Sequence, residues 1–243
     1  MKRIKFLSGN MLKVIAAITM TIDHIGLIFF PSNNLLRMIG RISFPIFAFM
    51  IVEGYFHTGN LKRYALRLFL SALISEIPFN LMYSSSVIFP FHQNVIWTLL
   101  LGLGLIHINE LAARKGKIWL RILTGCITVI AGFLLGTLTM VDYFGVGVVT
   151  ILVFYFFRKR KWWCLLGQIV ILYYLNVEVL SGLYFEITIL GKTIHIVQQG
   201  LALLALVPIW LYQGRKGNKS KVFQYICYGF YPVHMLLLYL LRY

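Results

Sequence analysis

Acidic side chains are scarce in this chain, with seven Asp and Glu against 23 Lys and Arg in 243 residues and a formal net charge of +16. Charged residues make up only 12% and hydrophobic ones 60%, a balance that excludes an ordinary soluble domain. No polar stretch exceeds about twenty residues, well short of the ~50 that a small domain needs. There are only three cysteines, Cys126, Cys164 and Cys227, each single in apolar sequence with no Cys-x-x-Cys. Neither a disulfide frame nor a zinc site is indicated, and buried thiols are expected. The chain lacks a Ser-centred nucleophile motif, a P-loop and any metal-ligand spacing, so no metal is expected. It also lacks internal repeats and low-complexity segments. The basic residues fall in short clusters between apolar runs rather than on one amphipathic face, so nucleic acid is not the expected partner.

Long apolar runs, by contrast, are plentiful. A helix needs about 20 residues to cross ~30 Å of hydrocarbon. Nine windows approach that length: roughly 11–30, 38–56, 64–82, 95–111, 118–138, 143–157, 162–176, 194–212 and 222–241. The expected fold is therefore all-α, a polytopic membrane helix bundle of about nine transmembrane helices in one domain spanning 1–243, with the lipid bilayer as its surroundings. The sixth and seventh windows are the shortest. With the N-terminus placed in the cytoplasm, 19 of the 23 basic residues fall on the inner side, leaving Arg37, Arg41, Lys192 and Arg242 for the outer one. The start resembles a signal peptide, but Asp23 and His24 interrupt its apolar segment and no small-residue cleavage site follows, so a retained first span is expected. The segment from Asn176 to Lys192 is the long outer connection. Residues 186–196 alternate around Gly191-Lys192, which fits a hairpin, or else the frayed start of the eighth helix.

Few polar residues lie at membrane depth, and these carry the functional reading. Counted at ~1.5 Å per residue from the nearest inner basic residue, Asp23 lies about 15 Å in, Glu76 roughly 13 Å and His234 roughly 20 Å. Arg37 and Arg41, Glu76 and Asn80, and Asn94 and Thr98 are each four apart and so share a helical face. Hiding Asp23, His24, Arg41, Glu76 and His234 separately in lipid is expensive, which favours one shared cavity. Asp23 and His24 are consecutive, so their side chains diverge by about 100° and each needs a partner elsewhere. Asp23 is expected to pair with Arg41. His24 then handles the proton, because its ordinary pKa near 6.5 lets it take and return one at neutral pH. Glu76 or His234 assists it, although His234 has a packing alternative beside Tyr231 and Pro232. Catalytic candidates are thus His24, Asp23 and Glu76, with Arg41, Asn94, Thr98 and His234 as substrate-binding candidates. Glu53 and His57 meet either a cytosolic ligand or water, Asp142 is expected to start a helix, and His92, His107 and His195 are expected to have no special chemistry.

In its motifs the chain resembles the TraX family. The matching elements are Leu12-Lys-Val-Ile-Ala, Met20-Thr-Ile-Asp-His-Ile-Gly, Leu36-Arg-Met-Ile-Gly-Arg-Ile-Ser-Phe-Pro, Ile51-Val-Glu-Gly-Tyr, Ser75-Glu-Ile-Pro-Phe-Asn, Asn94-Val-Ile-Trp-Thr and Tyr231-Pro-Val-His-Met. The resemblance is dense over 11–104, whereas 112–220 matches in hydropathy alone. It implies a transmembrane acyltransferase of the cytoplasmic membrane that draws acetyl from acetyl-CoA. The acceptor would be an amine or hydroxyl at or beyond the membrane, such as a pilin N-terminus or a surface glycan. On that resemblance His24 is the catalytic histidine and Asp23, Arg41 and Glu76 support it. Two other classes remain open: a proton-coupled small-molecule transporter, and a non-catalytic assembly factor for surface structures.

Overall fold

Residues 6–189, 192–217 and 220–242 are described by the structure, a computed structural model. Each of the nine apolar windows overlaps a helical run. In chain order these are α1 (Gly9–Phe29), α2 with α3 (Asn34–Gly40, Ser43–His57), α4 (Leu61–Ser84), α5 (Val95–Arg114), α6 (Ile118–Leu138), α7 (Phe144–Phe156) and α8 (Trp162–Tyr173). A wider π turn (Tyr174–Val179) extends α8. After a β hairpin (β1 Tyr184–Ile189, β2 Lys192–Val197) come a 3-10 helix (Gln198–Ala205), α9 (Leu206–Leu211) and α10 (Lys221–Leu241). Among the described residues six runs are long and apolar enough to cross a membrane, and Phe144–Phe156 and Gln198–Leu211 are shorter apolar helices. The chain is a helical, multi-pass membrane protein.

Polar caps set several of the helix starts. Ser8, Asn33, Asn60 and Asn94 each accept a backbone N–H from the first turn of α1, α2, α4 and α5. Such caps satisfy donors that a helix N-terminus would leave unmet, which matters most where water is excluded. The second window was expected as one helix over 38–56. It is instead broken at Arg41 and Ile42, because Pro45 has no N–H to bond the Arg41 carbonyl and its ring crowds that carbonyl. Arg41 N and Ile42 N reach the carbonyls three residues back, at 3.3 and 3.4 Å.

The chain packs as two compact units interleaved in sequence, residues 1–47 with 159–221, and 48–158 with 222–241. In the first, the segment before α1 pairs with the chain after α9. Leu7 N donates to Leu211 O, and the Gly9 and Asn10 N–H groups reach the Arg215 and Lys216 carbonyls at 2.9 and 3.0 Å. The start of α1 and the basic loop after α9 therefore share one end of this unit, as the charge count requires. Helices α1 and α2 approach closely, since a Cβ at Gly26 would press on Leu36 and one at Gly40 would overlap Asp23. The hairpin is present, and its register corrects the sequence expectation. Ile189 pairs with Lys192, so Lys192 belongs to β2, while Leu190 and Gly191 lie outside the described residues. Residues 194–197 are strand, and the eighth helical run starts only at Gln198.

In the second unit the core is α7, with every residue from Gly145 to Phe154 buried. At 13 residues it is about 20 Å long, short for a span. Its neighbours come close through small residues: Gly145 lies against the Phe133 backbone, and Gly102 and Gly132 against Ile151 and Val148. Lipid supplies no hydrophobic drive between helices, so such close backbone contact is what holds them. Asn109 donates to the Leu105 carbonyl and to Thr128 Oγ1 at 2.8 Å, a buried polar tie between α5 and α6. Helix α6 presents Ile122, Ile127, Ile130 and Leu134 outward, as a lipid-facing helix must. Cys164 is buried, but Cys126 is exposed on that outward face and Cys227 is half-buried, which corrects the uniform expectation of buried thiols.

Candidate functional site

In the first unit a cluster is built around Asp23. Its two carboxylate oxygens are taken by two arginines of the second span: Arg37 Nη1 donates to Oδ2 at 2.9 Å and Arg41 Nη2 to Oδ1 at 2.6 Å. The Asp23 side chain is 10% exposed and that of Arg41 14%, so the group is largely withdrawn from solvent. The expected Asp23–Arg41 pair is therefore present, and Arg37 is a second partner that the sequence placed on the outer surface. Arg41 completes its fork by donating to the Arg37 carbonyl and to Gln199 Oε1, both within 3.1 Å. Gln199 in turn donates to Asn176 Oδ1 at 3.1 Å, and Asn176 to the Leu172 carbonyl. Asn176 sits in the π turn, where the looser winding sets its side chain inward, a feature common at functional sites. Two guanidinium groups thus meet on one carboxylate. His24, the next residue on α1, is buried as well and leaves the helix in a different direction from Asp23.

Sequence reasoning missed Arg37 as a partner, and Gln199 and Asn176 altogether. The signal for the last two was a Gln pair and an Asn in otherwise apolar runs, too common as helix glue to stand out.

The second unit holds the other candidates. Asn94 caps α5 by accepting the Ile96 N–H at 3.1 Å, while its amide donates to the Ala72 carbonyl and to Glu76 Oε2. Trp97 Nε1 donates to the same Glu76 oxygen at 3.0 Å. Thr98, wholly buried, donates to the Asp142 carbonyl at 2.7 Å. Glu76 with Asn94, and Thr98 with the chain before α7, are thus brought together. His234 Nδ1 bonds the Phe230 carbonyl of its own helix at 2.8 Å and its ring stacks on Phe230 at 4.9 Å, the packing that the sequence left open. The candidates form one group around Asp23 in the first unit and one around Glu76 in the second.

His92 was expected to be bland, and it is not. Its Nε2 lies 3.3 Å from Asp142 Oδ1, and its ring meets Phe79 and Tyr83 edge-on and Phe144 in parallel. Asp142 also accepts the Tyr143 N–H, and Met140, Tyr143 and Phe144 all have φ between 48° and 61°. Such positions cost of order 1–3 kcal/mol each for residues with side chains. Gln93 pairs with Val141 alongside, so the α4–α5 and α6–α7 connections meet at one end of this unit. Glu53 is corrected too: it is buried against Arg158 Nε at 2.9 Å, with the guanidinium over the Phe56 ring.

Removing the Asn94 side chain should be felt twice, in the cap and at Glu76. Asn94→Ala is expected to destabilise by about 2 kcal/mol, and Asn94→Ser, which keeps the cap, by about half of that. Thermal unfolding in detergent measures both, and equal losses would show that the cap contributes nothing.

The family model described as TraX protein matches residues 8–242. This chain belongs to the TraX family. Over 247 aligned residues it is 30% identical to a protein of Dichelobacter nodosus named "Probable fimbrial assembly protein FimC, serogroup H1", covering 95% of this chain and 94% of that one. A shorter match, 50% identical over 46 residues, links it to the uncharacterized protein RP591 of Rickettsia prowazekii (strain Madrid E), covering 19% of this chain and 18% of that one. No solved structure matches. The TraX match covers both groups, those around Asp23 and around Glu76.

Proposed function

We propose that this TraX-family protein is an acyltransferase of the cytoplasmic membrane, moving acetyl from acetyl-CoA to an amine or hydroxyl acceptor that serves a pilus or fimbria. The observation that carries this reading is the buried Asp23–Arg37–Arg41 cluster adjoining a buried histidine on α1. Charges held this firmly are preorganised, and guanidinium donors suit an oxyanion forming at a thioester carbonyl. His24 is the proton handler. It takes a proton from the acceptor N–H or O–H as that atom attacks the carbonyl carbon. The C–S bond then breaks, and the CoA thiolate leaves and recovers the proton as a thiol. Arg41 is a further candidate for holding the substrate beside His24; within the second unit by itself, Glu76 is a candidate catalytic residue and Asn94, Thr98 and His234 are candidate substrate contacts.

Membrane vesicles containing the protein, given labelled acetyl-CoA, should transfer label to an endogenous acceptor. His24→Ala is expected to lower the rate about a hundredfold, as loss of a general base does. Labelling at the wild-type rate by that variant would remove His24 from the chemistry.

A second reading, a non-catalytic assembly factor, draws on the name of the Dichelobacter nodosus relative. In that case the charged cluster only fixes helix register. Exchanging Asp23 and Arg41 separates the two readings. Restored folding with surface-structure assembly intact and no acetyl transfer in either protein supports the assembly factor, whereas restored folding with lost transfer supports the enzyme.

A further inference from the structure

Helix α8, in the first unit, presents an exposed apolar stripe. Trp162, Trp163, Leu166, Ile169 and Val170 are all exposed, Trp162 at 72%, and their helical spacing joins them into one strip down the helix. Cations stand at its head. Lys159 and Lys161 are exposed in the tight turn before α8, where the Lys161 N–H donates to the Lys159 carbonyl at 2.9 Å, and the Lys161 ammonium lies 6.0 Å from the centre of the Trp163 ring. Arg160, between them, fixes the turn. It donates to the Ile209 carbonyl at 2.9 Å, and its guanidinium lies over the Trp210 and Tyr212 rings. Tyr212 pairs in turn with Leu7, and the exposed Arg215 and Lys216 follow it closely. Lys159, Arg160, Lys161, Arg215 and Lys216 thus gather at one end of this unit.

The unit has three acids, Asp23, Glu178 and Glu186, and each is placed elsewhere. Asp23 is taken by Arg37 and Arg41. Glu178 lies in the π turn at the other end of α8, about 25 Å from Lys161 at ~1.5 Å per residue. Glu186 lies in the hairpin opposite His195, and the whole run Gln198–Leu211 separates it from Tyr212. Counter-charge for this corner therefore comes from outside the unit. A small soluble anion would meet the lysines and leave the stripe uncovered, while a zwitterionic lipid would cover the stripe but bring its own cation. An acidic phospholipid answers both features, and tryptophan at the level of the headgroups suits the boundary between them.

We propose that this corner of the first unit is a docking surface for an acidic phospholipid. Lys159 and Lys161 hold its phosphate, Arg215 and Lys216 add positive potential, and its acyl chains lie along the stripe from Trp162 to Val170. The proposal does not rest on acyl transfer.

The test is native mass spectrometry of the full chain in a nonionic detergent, titrated with dioleoylphosphatidylglycerol or dioleoylphosphatidylcholine. The glycerol lipid should bind saturably and at least about tenfold more tightly than the choline lipid. Lys159→Gln together with Lys161→Gln should weaken the glycerol lipid about tenfold and leave the choline lipid unchanged. Both side chains are exposed, so the melting temperature without lipid should not move, which checks that this variant folds. Lys115→Gln with Lys117→Gln, in the basic loop of the second unit, is the control and should weaken the tightest binding by less than about twofold. Phosphatidylglycerol brominated on its acyl chains should quench tryptophan fluorescence, and Trp162→Phe with Trp163→Phe should remove most of the saturable part. Equal affinity for the two lipids, wild-type affinity in the lysine variant, an equal loss in the control or unchanged quenching in the tryptophan variant would overturn the proposal. So would a dimer that forms without lipid and excludes phosphatidylglycerol, since a second copy would then cover the stripe.

Discussion

Asp23→Asn is expected to lower the melting temperature of the purified protein by roughly 10 °C, the largest loss from any single neutral substitution in the first unit. The wild-type carboxylate is held by two guanidinium groups at 2.9 and 2.6 Å in a place where little solvent reaches. An asparagine of the same shape keeps the packing but leaves two half-buried cations to repel each other without an anion between them. Breaking a buried ion pair from one side costs about 3–5 kcal/mol, and each kcal/mol moves the midpoint of a chain this size by about 2–4 °C. The loss should be partly relieved when Arg37 is also replaced by methionine, because one of the two stranded charges is then gone. Scanning fluorimetry in detergent on the single and double variants measures both effects. A shift within about 2 °C for Asp23→Asn would mean that water or a lipid phosphate already neutralises the arginines.

Gly40→Val acts on the same cluster from the backbone side. A Cβ at Gly40 would overlap the Cβ, Cγ and Oδ1 of Asp23, none of which can swing away while Arg37 and Arg41 hold the carboxylate. Helices α1 and α2 must then part or the ion pairs must break. Overpacking alone costs about 1–3 kcal/mol, and partial loss of the charge contacts raises the expectation to about 4 kcal/mol. Gly104→Ala is the control. It lies within α5 with nothing inside 4 Å of the added carbon, and a helical glycine replaced by alanine should be neutral or gain up to about 1 kcal/mol. If Gly40→Val proves as mild as Gly104→Ala, the close approach of α1 and α2 is not what positions Asp23.

These two substitutions show why Asp23 could be picked out from sequence and its surroundings only in part. An acid amid twenty apolar residues is visible on its own, and so is the need for a cation to meet it. That the cation includes Arg41 follows from nearness in sequence and depth in the membrane. The charge count leaves both Arg37 and Arg41 on the outer side and their spacing puts them on one helical face, yet only Arg41 is paired with Asp23 from sequence. The start of α2 at Asn34 puts Arg37 inside the helix one turn before Arg41, and both reach the same carboxylate. Gln199 is 158 residues from Arg41, and nothing in local periodicity records such a distance.

The same division runs through the whole chain. Sequence by itself determined the helical membrane class, the number and order of apolar runs, and the family, and it left the hairpin before the eighth run as one of two alternatives. Each of these depends on hydropathy or spacing over fewer than about 25 neighbouring residues, which a bilayer and a helix read locally. Tertiary structure alone decided that α7 is a buried core helix, that His92 faces Asp142 among aromatic rings, and that Arg41 reaches Gln199. Whether a side chain has a partner depends on contacts between segments far apart in the chain, and those are fixed by packing rather than by pattern.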